Sequence, residues 1–210
     1  MKTNLEQYLS HLLPPDQEWI NDLEQRAEDE HIPIMERTAI HFLCHLISII
    51  KPRRILEIGT GIGYSALRML DAYRETSIMT IERDKERYRQ AKKIIKDHLG
   101  HEQINVIHGD ARHILTDLRG EKFDLIFIDA AKGQYQRFFE LSHPLLADHG
   151  IIVSDNVLFR GYVMAPHKAP KRLQSLVKKL VVYNEWLMNH PNYVTSIIPI
   201  GDGVALSYKK

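Results

Sequence analysis

Cysteine, net charge and long apolar runs are all scarce in this sequence. The single cysteine, Cys44, cannot form an internal disulfide, so we expect a reducing, cytoplasmic compartment. The formal net charge of +1 does not by itself indicate a nucleic-acid-binding protein. No apolar run approaches the length of a membrane span and no signal peptide is visible, so we expect no membrane partner. The 210 residues are enough for one domain with a sizeable core.

The first 50 residues differ in pattern from the rest of the chain. Apolar residues at helical spacing predict three helices, over about 4–13, 17–30 and 36–50. Pro14-Pro15 ends the first helix, and Asp16 can cap the second. From residue 54 onward, short apolar runs alternate with helical patterns and predict strands over 55–58, 77–81, 104–108, 123–128 and 150–154. Such runs between helices imply a buried parallel sheet.

Helices and a hairpin complete the predicted fold. Asp84 can cap a basic helix that runs to about Leu99, and another helix covers about 134–145. Gly201-Asp202-Gly203 separates apolar runs over 193–199 and 204–208, and an Asp-Gly pair in this context predicts an antiparallel hairpin. The predicted fold class is therefore α/β, a doubly wound, mostly parallel sheet of seven strands with a C-terminal antiparallel hairpin. We expect one domain over 1–210, with an N-terminal helical extension over 1–50 and the core over 54–210.

The first predicted strand runs into a glycine-rich turn, Ile55-Leu-Glu-Ile-Gly-Thr-Gly-Ile-Gly-Tyr-Ser65. Its glycines let the backbone turn sharply and leave room for a ligand at the carboxyl end of the strand. The spacing is G-x-G-x-G, not the G-x-G-x-x-G of dinucleotide-binding turns, and Glu57 precedes the first glycine. A pyrophosphate gains nothing from that carboxylate, whereas a ligand with an amino group does. The turn favours S-adenosylmethionine over NAD, although a plain strand-to-helix connection would also use such glycines.

Polar side chains follow the next two strands at the same edge of the sheet. Glu82 ends the second strand about twenty residues after the glycines, where a carboxylate accepts hydrogen bonds from ribose hydroxyls. Since Asp84 already caps the following helix, the ribose role is favoured for Glu82 over a capping role. Asp110 and Ala111 follow the third strand and are placed to border an adenine ring, although Asp110 could instead cap the next helix.

The fourth and fifth strands end at Asp129 and at Asp155-Asn156. Two adjacent strand ends would aim these three side chains at one point, and oxygen ligands without His or Cys suit Mg²⁺ or another hard divalent ion. Lys132 follows Asp129 by three residues and could take up a proton from a hydroxyl or stabilise the oxyanion. The alternatives are aspartates that cap helices without a metal, and a lysine in a surface loop.

Five stretches spread over nearly the whole chain form a recognisable series: Glu57-Ile-Gly-Thr-Gly-Ile-Gly-Tyr-Ser65, Thr80-Ile-Glu82, Gly109-Asp-Ala111, Ile128-Asp-Ala-Ala-Lys132 and Ser154-Asp-Asn-Val157. In this order they resemble the cation-dependent O-methyltransferases of the catechol and caffeoyl-CoA type. The resemblance implies a Rossmann-like class I methyltransferase fold with S-adenosylmethionine and Mg²⁺ as cofactors. Members of that family are commonly homodimers, so a homodimer is expected.

The resemblance also implies roles for single residues. Around the cofactor it places Met35, Glu57, Gly59 and Ser65 at the methionine part, Glu82 at the ribose, Asp110 and Ala111 at the adenine, and Asp129 at the cofactor as well. For the reaction itself it implies a metal site made by Asp129, Asp155 and Asn156, with Lys132 as the catalytic base.

A narrower similarity concerns four further stretches: Ala131-Lys-Gly-Gln-Tyr-Gln136, Asp155-Asn-Val-Leu-Phe-Arg-Gly161, Glu185-Trp-Leu-Met-Asn-His-Pro191 and Ile198-Pro-Ile-Gly-Asp-Gly203. These look like the bacterial tRNA 5-hydroxyuridine methyltransferases, which convert 5-hydroxyuridine at the wobble position to 5-methoxyuridine. The similarity implies the anticodon region of tRNA as the partner. The 5-hydroxyl and the O4 carbonyl of that nucleoside are neighbours like a catechol pair, so the alternative is an O-methyltransferase for catechol-like or caffeoyl-CoA-like small molecules.

A basic run lies directly after the proposed metal ligands. From 157 to 184 there are six Lys or Arg and no Asp or Glu: Arg160, Lys168, Lys171, Arg172, Lys178 and Lys179. Such a run at a substrate mouth would suit phosphate binding, and the alternative is a solvated helix face. Tyr135 and Phe159 flank the metal residues in sequence and are candidates to stack on a base.

Overall fold

The computed structural model describes residues 4–98 and 101–210. In these ranges the helices are α1 (Asn4–Leu12), α2 (Glu18–Asp29), α3 (Arg37–Ile50), α4 (Tyr64–Ala72), α5 (Lys85–Lys96), α6 (Ala111–Asp117), α7 (Tyr135–Ser142) and α8 (Lys171–Met188). The strands are β1 (Arg54–Ile58), β2 (Ser77–Glu82), β3 (Ile104–His108), β4 (Phe123–Ile128), β5 (Leu146–Ser154), β6 (Tyr193–Ile198) and β7 (Val204–Lys209). The predicted end of the basic helix at Leu99 lies outside the described residues.

The seven strands form one sheet in the order β3-β2-β1-β4-β5-β7-β6. The first five strands are parallel, whereas β7 is antiparallel to both β5 and β6. This arrangement confirms the predicted α/β fold with a closing antiparallel hairpin. Since β1 and β4 are neighbours at the centre of the sheet, the turn after β1 lies beside the residue that follows β4.

Helices cover both faces of the sheet because side chains of a strand alternate between its two faces. Ile55 of β1 is buried in the core formed with α2, α3 and α4, whereas its neighbour Leu56 is buried in the core formed with α7 and α8. Because α2 and α3 share a core with the strands, the packing favours the predicted single domain. Among the described residues, no helix is long and apolar enough to cross a membrane.

Three local predictions need correction. The fifth strand begins at Leu146 rather than at 150; the prediction missed its start because the polar residues Asp148 and His149 interrupt the apolar pattern. The helix predicted over 134–145 ends at Ser142, and a short 3₁₀ turn that contains Pro144 follows it. Asp16 does not cap α2; it accepts a hydrogen bond from Arg37 and lies 3.4 Å from the guanidinium of Arg68.

The predicted apolar face of α1 is largely exposed in the chain. Leu5, Tyr8 and Leu12 are 66, 61 and 60% exposed. The hydrophobic pattern therefore predicts the helix correctly, but the apolar face of α1 packs little against the rest of the described chain.

Candidate active site

The glycine turn after β1 is packed directly against the end of β4. The amide of Asp129 donates to the Ile58 carbonyl at 3.0 Å, and the amide of Gly59 donates to the Ile81 carbonyl at 3.0 Å. Gly59 has φ +105°, and a Cβ there would lie only 1.9 Å from the carbonyl oxygen of Asp129. Only glycine fits at this contact, which fixes the turn against the first proposed metal ligand.

Gly61 lies farther along the same turn and faces open space. Its φ is +56°, and no described atom lies within 4 Å of the position where a Cβ would stand. Its amide donates to the Glu82 carboxylate at 2.9 Å. The turn is thus held from behind by β4 and from the side by the end of β2, while its middle stays open to a ligand.

A cavity of about 480 Å³ opens over this turn at the carboxyl ends of the strands. Nine of the eleven predicted site residues line it: Met35, Gly59, Ser65, Glu82, Asp110, Ala111, Asp129, Lys132 and Asn156. Glu57 and Asp155 do not. The wall also contains Pro33 and Ile34, which the sequence marks only as the break before α3, so their place at the cavity was not predicted.

Glu57 is completely buried beneath the turn. Its carboxylate accepts hydrogen bonds from the Ser65 hydroxyl and, at 2.5 Å, from the Thr80 hydroxyl. Burial raises the pKa of Glu57 to about 8, against the opposing effect of these two hydrogen bonds. Thr60 extends the network, because its hydroxyl lies 2.6 Å from that of Thr80. The structure shows Glu57 holding the turn from below, and its contact with a methionine amino group stays a prediction.

Sequence patterns gave no role to Thr60 or to Thr80. Both are buried, and together they link the turn to β2 and β2 to the carboxylate in β1. A buried threonine in the middle of an apolar strand is the signal that could have indicated this network, because a buried hydroxyl needs a hydrogen-bond partner.

Glu82 uses both of its carboxylate oxygens at the mouth of the turn. One accepts from the amide of Gly61, and the other accepts from the amide of Asp84 at 2.8 Å. Asp84 itself caps α5 by accepting from the amides of Glu86 and Arg87, as predicted. Because an ionised carboxylate can accept about four hydrogen bonds, Glu82 keeps capacity for the hydroxyls of a ligand in the cavity.

Asp110 combines two of its predicted features. It caps α6 through the amide of Arg112, and it also lines the cavity. The hydrogen-bonded Arg112 guanidinium, 2.6 Å away, holds the pKa of Asp110 well below its usual value. Asp110 can therefore cap α6 and still lie beside a bound adenine ring. Its neighbour Ala111 forms part of the same cavity wall.

The proposed metal ligands follow two adjacent parallel strands. Ile128 of β4 pairs with Ser154 of β5, so the residues after them, Asp129 and Asp155, emerge at the same edge of the sheet. Burial raises the pKa of both carboxyl groups, and for Asp155 the nearby Asp129 raises it further. One oxygen of Asp155 accepts from the amide of Asn156 at 2.7 Å, whereas its Oδ2 atom is buried without a hydrogen-bond partner.

These residues fit a hard divalent cation. The unpartnered, buried carboxylate oxygen of Asp155 beside the half-buried carboxylate of Asp129 is costly unless a positive charge neutralises the pair. Among the described residues, no group of three or more His, Cys, Asp or Glu side chains is arranged to hold a metal ion, so the amide of Asn156 would be the third protein ligand. Asn156 adopts φ +55°, a left-handed conformation that asparagine tolerates. Two carboxylates and an amide oxygen match the preference of Mg²⁺.

Lys132 begins a short 3₁₀ turn, Lys132–Gln134, three residues after Asp129. It lines the cavity, and its positive charge partly offsets the effect of burial on the pKa of Asp129 and of Asp155. None of the described residues forms an ion pair within 4.0 Å with Lys132, so its ammonium group is available to a ligand.

The two predicted stacking residues have different environments. Tyr135 is only 1% exposed and packs edge-on against Tyr183, so it cannot stack on a base, and that prediction is wrong. Phe159 is half-buried on the loop after Asn156. This loop is held by the β6–β7 hairpin, where Asp202 accepts hydrogen bonds from the amides of Leu158 and Arg160. Asp202, predicted only as a turn residue, thus positions the loop beside the proposed metal site.

Comparison with known proteins agrees with this arrangement. A family model described as O-methyltransferase matches residues 10–210. Two similar proteins are both named as putative caffeoyl-CoA O-methyltransferases. The one from Arabidopsis thaliana is 35% identical over 170 residues, which cover 79% of this chain and 73% of that protein. The other, a crystal structure from Staphylococcus aureus, superposes with a TM-score of 0.87 at 34% identity over 98% of this chain and 97% of that one.

A third similar structure was solved with a ligand. The SAH-bound methyltransferase PaMTH1 of Podospora anserina superposes with a TM-score of 0.88 at 25% identity. The match covers 100% of this chain and 98% of that one.

Proposed function

This chain belongs to the O-methyltransferase family, and we propose that it transfers a methyl group from S-adenosylmethionine to the 5-hydroxyl of 5-hydroxyuridine at the tRNA wobble position. The product is 5-methoxyuridine. The observation that supports methyl transfer is that the proposed cofactor-binding and metal-binding residues line one cavity. Gly59 and Glu82 line it together with Asp129, Lys132 and Asn156, so a cofactor and an acceptor oxygen can meet there.

The cofactor is proposed to lie along the turn. Glu82 accepts hydrogen bonds from the ribose hydroxyls, and Asp110 with Ala111 borders the adenine. Met35, Gly59 and Ser65 surround the methionine part, with Glu57 supporting the turn beneath it. When bound, S-adenosylmethionine supplies the methyl group as an electrophile.

Asp129, Asp155 and Asn156 would hold Mg²⁺, which when bound supplies a Lewis acid that makes a coordinated hydroxyl more acidic. Lys132 reaches the same cavity from the turn that follows Asp129. As a neutral amine it would accept the hydroxyl proton at Nζ, and as an ammonium group it would instead stabilise the negative charge that forms on the oxygen. The hydrogen bond from the Asn156 amide to Asp155 and the loop held by Asp202 position this part of the site before substrate binds.

Replacing Glu82 with alanine is expected to raise the Kd for S-adenosylmethionine about 10- to 150-fold. The reason is the loss of a charged hydrogen-bond acceptor for the ribose, which contributes roughly 1.5–3 kcal/mol. Titration calorimetry measures the effect directly. Glu82→Gln is the matched control for shape, and it keeps one acceptor oxygen for the turn. Unchanged affinity in the alanine variant would contradict the ribose assignment.

The tRNA substrate is supported by the basic side chains beside the cavity, and the small-molecule alternative by the names of the similar proteins. The test is a direct comparison with purified protein, cofactor and Mg²⁺. We expect 5-hydroxyuridine-containing tRNA to be methylated with a kcat/KM about 100-fold or more above that of a catechol or caffeoyl-CoA. Mass spectrometry of the digested nucleosides identifies the product. A preference for caffeoyl-CoA, with such tRNA left unmethylated, would establish the alternative.

The predicted homodimer also remains a proposal. The exposed apolar side chains of α1 favour it, since apolar residues on one helix face are typical of a surface that another chain covers. Sedimentation velocity of the wild-type protein measures the oligomeric state.

A further inference from the structure

A second cavity of about 720 Å³ lies beside the active-site cavity, between the Lys132–Gln134 turn and α8. We refer to it as the basic groove. Four lysines line it, Lys132, Lys171, Lys178 and Lys179, and none of the described residues that line it is acidic. Lys132 belongs to the walls of both cavities, so the groove begins where the proposed reaction centre ends.

The fold brings these lysines together in two ways. On α8, Lys171 and Lys178 are seven residues apart, which is two helical turns, so they share one side of the helix; Lys179 follows Lys178 and also lines the groove. The turn then approaches the helix closely, because the Lys179 Nζ atom lies 3.8 Å from the position of a Cβ on Gly133.

The charges of Lys171, Lys178 and Lys179 are not neutralised within the described chain. None of the four lysines of the basic groove forms an ion pair there, and Lys171, Lys178 and Lys179 are exposed. Nearby Glu140 is already engaged, since it accepts from Gln136 at 3.1 Å and lies 3.6 Å from Arg137. Three uncompensated ammonium groups in one concave surface, those of Lys171, Lys178 and Lys179, create a positive potential that favours a polyanion.

Only part of the basic run over 157–184 lies at the basic groove. Lys171, Lys178 and Lys179 line the basic groove, whereas Lys168 and Arg172 do not line it. Lys168 lies before α8, in the short 3₁₀ turn Pro166–Lys168.

We infer that the basic groove is a phosphate-binding subsite that holds the substrate while its hydroxyl lies in the active-site cavity. The inference rests on the proposed function for the source of the phosphates, which would be phosphodiesters next to the wobble nucleoside. Lysine ammonium groups bind phosphate as point charges, without the fixed geometry of arginine, and so suit a flexible backbone. The other source of the same chemistry is the phosphates of a coenzyme A thioester.

The test removes two charges that lie away from the reaction centre. Lys178→Ala/Lys179→Ala is expected to raise the Kd for tRNA about 10- to 100-fold at low salt. The slope of log K against log salt should fall by about two, one for each lost phosphate contact. The rate at saturating tRNA should stay as in wild type, because neither lysine lines the active-site cavity.

The matched control is Lys93→Ala/Lys96→Ala on α5, which removes the same charge from exposed positions outside both cavities. It should bind tRNA as wild type does, and both variants should keep their affinity for S-adenosylmethionine. Equal losses in the two variants would show a general charge effect and overturn the inference. If wild type methylates tRNA, unchanged tRNA affinity in the α8 variant would overturn it as well.

Assays with caffeoyl-CoA and with a free catechol distinguish a failure of this inference from a failure of the proposed function. If wild type ignores tRNA but methylates caffeoyl-CoA, the proposed substrate is wrong. In that case the α8 variant should raise the KM for caffeoyl-CoA and leave the KM for catechol unchanged, which would support the basic groove with a different phosphate source. An α8 variant that alters neither tRNA nor caffeoyl-CoA binding would overturn the basic groove as a phosphate site.

Discussion

Replacing Lys132 with methionine is expected to lower the rate of methyl transfer about 100- to 10,000-fold, the range that a positioned acid or base contributes. Methionine has a similar length but neither charge nor proton, so the substrate hydroxyl would lose both proposed forms of assistance. Single-turnover measurements with saturating cofactor and tRNA isolate this step. The Kd for S-adenosylmethionine should change little, because Lys132 is not among the proposed cofactor contacts.

The variant Lys132→Arg distinguishes the two roles of this lysine. Arginine keeps the positive charge but does not act as a base, because it stays protonated. If Lys132→Arg retains most of the rate, stabilisation of the oxyanion is the main contribution. If it is as slow as Lys132→Met, proton transfer at Nζ is the main contribution. Wild-type rates in Lys132→Met would remove this residue from the mechanism.

The second large effect is expected at Asp155. Asp155→Ala should lower methyl transfer about 100- to 1,000-fold, as expected when a preorganised electrostatic contact at the reaction centre is lost. The variant should still bind S-adenosylmethionine, since Asp155 does not line the cavity. A continuous assay of the demethylated cofactor product over a range of Mg²⁺ concentrations measures the loss. Full activity of Asp155→Ala, or of wild type in thorough chelation, would contradict the metal assignment.

Thermal unfolding provides an independent measure of the metal at Asp155. Mg²⁺ at 100 times its Kd should stabilise wild type by about 2.7 kcal/mol, which raises Tm by roughly 5–10 °C. Asp155→Asn keeps an acceptor for the Asn156 amide but removes a buried negative charge. This variant should lose the response to Mg²⁺ and be more stable than wild type without metal, because no unpaired carboxylate is buried. A Tm response equal to that of wild type would place the cation elsewhere.

The sequence was informative wherever local pattern and fold agree. Apolar strands between helices predict the sheet, and residues such as Glu82 and Asp129 at strand ends are brought to one edge by parallel pairing. Element ends were less predictable. The start of β5 is hidden because Asp148 and His149 are polar, although backbone pairing extends the strand to Leu146. Pairing depends on the neighbouring strand, which a local pattern does not contain.

For the candidate site, the sequence predicted which residues lie near the cavity, but not which way their side chains point. Nine predicted residues line one cavity, but only the three-dimensional structure shows that Glu57 points beneath the turn toward Thr80. Tyr135 is adjacent in sequence to cavity residues yet buried, because it starts a helix whose first turn faces the core. The direction of a side chain relative to a cavity depends on packing partners far along the chain, such as Tyr183.

The position of β7 has a consequence for the biosynthesis of the enzyme. This strand is the last of the seven in chain order, yet it lies inside the sheet, between β5 and β6. The turn between β6 and β7 anchors the loop beside Asp155, where the amide of Val157 donates to the Gly203 carbonyl at 3.0 Å. A polypeptide leaves the ribosome with its N-terminus first, so the cofactor turn emerges well before this anchor. A nascent chain can therefore form the turn at Gly59 early, but it completes the surroundings of Asp155 only when synthesis has passed β7.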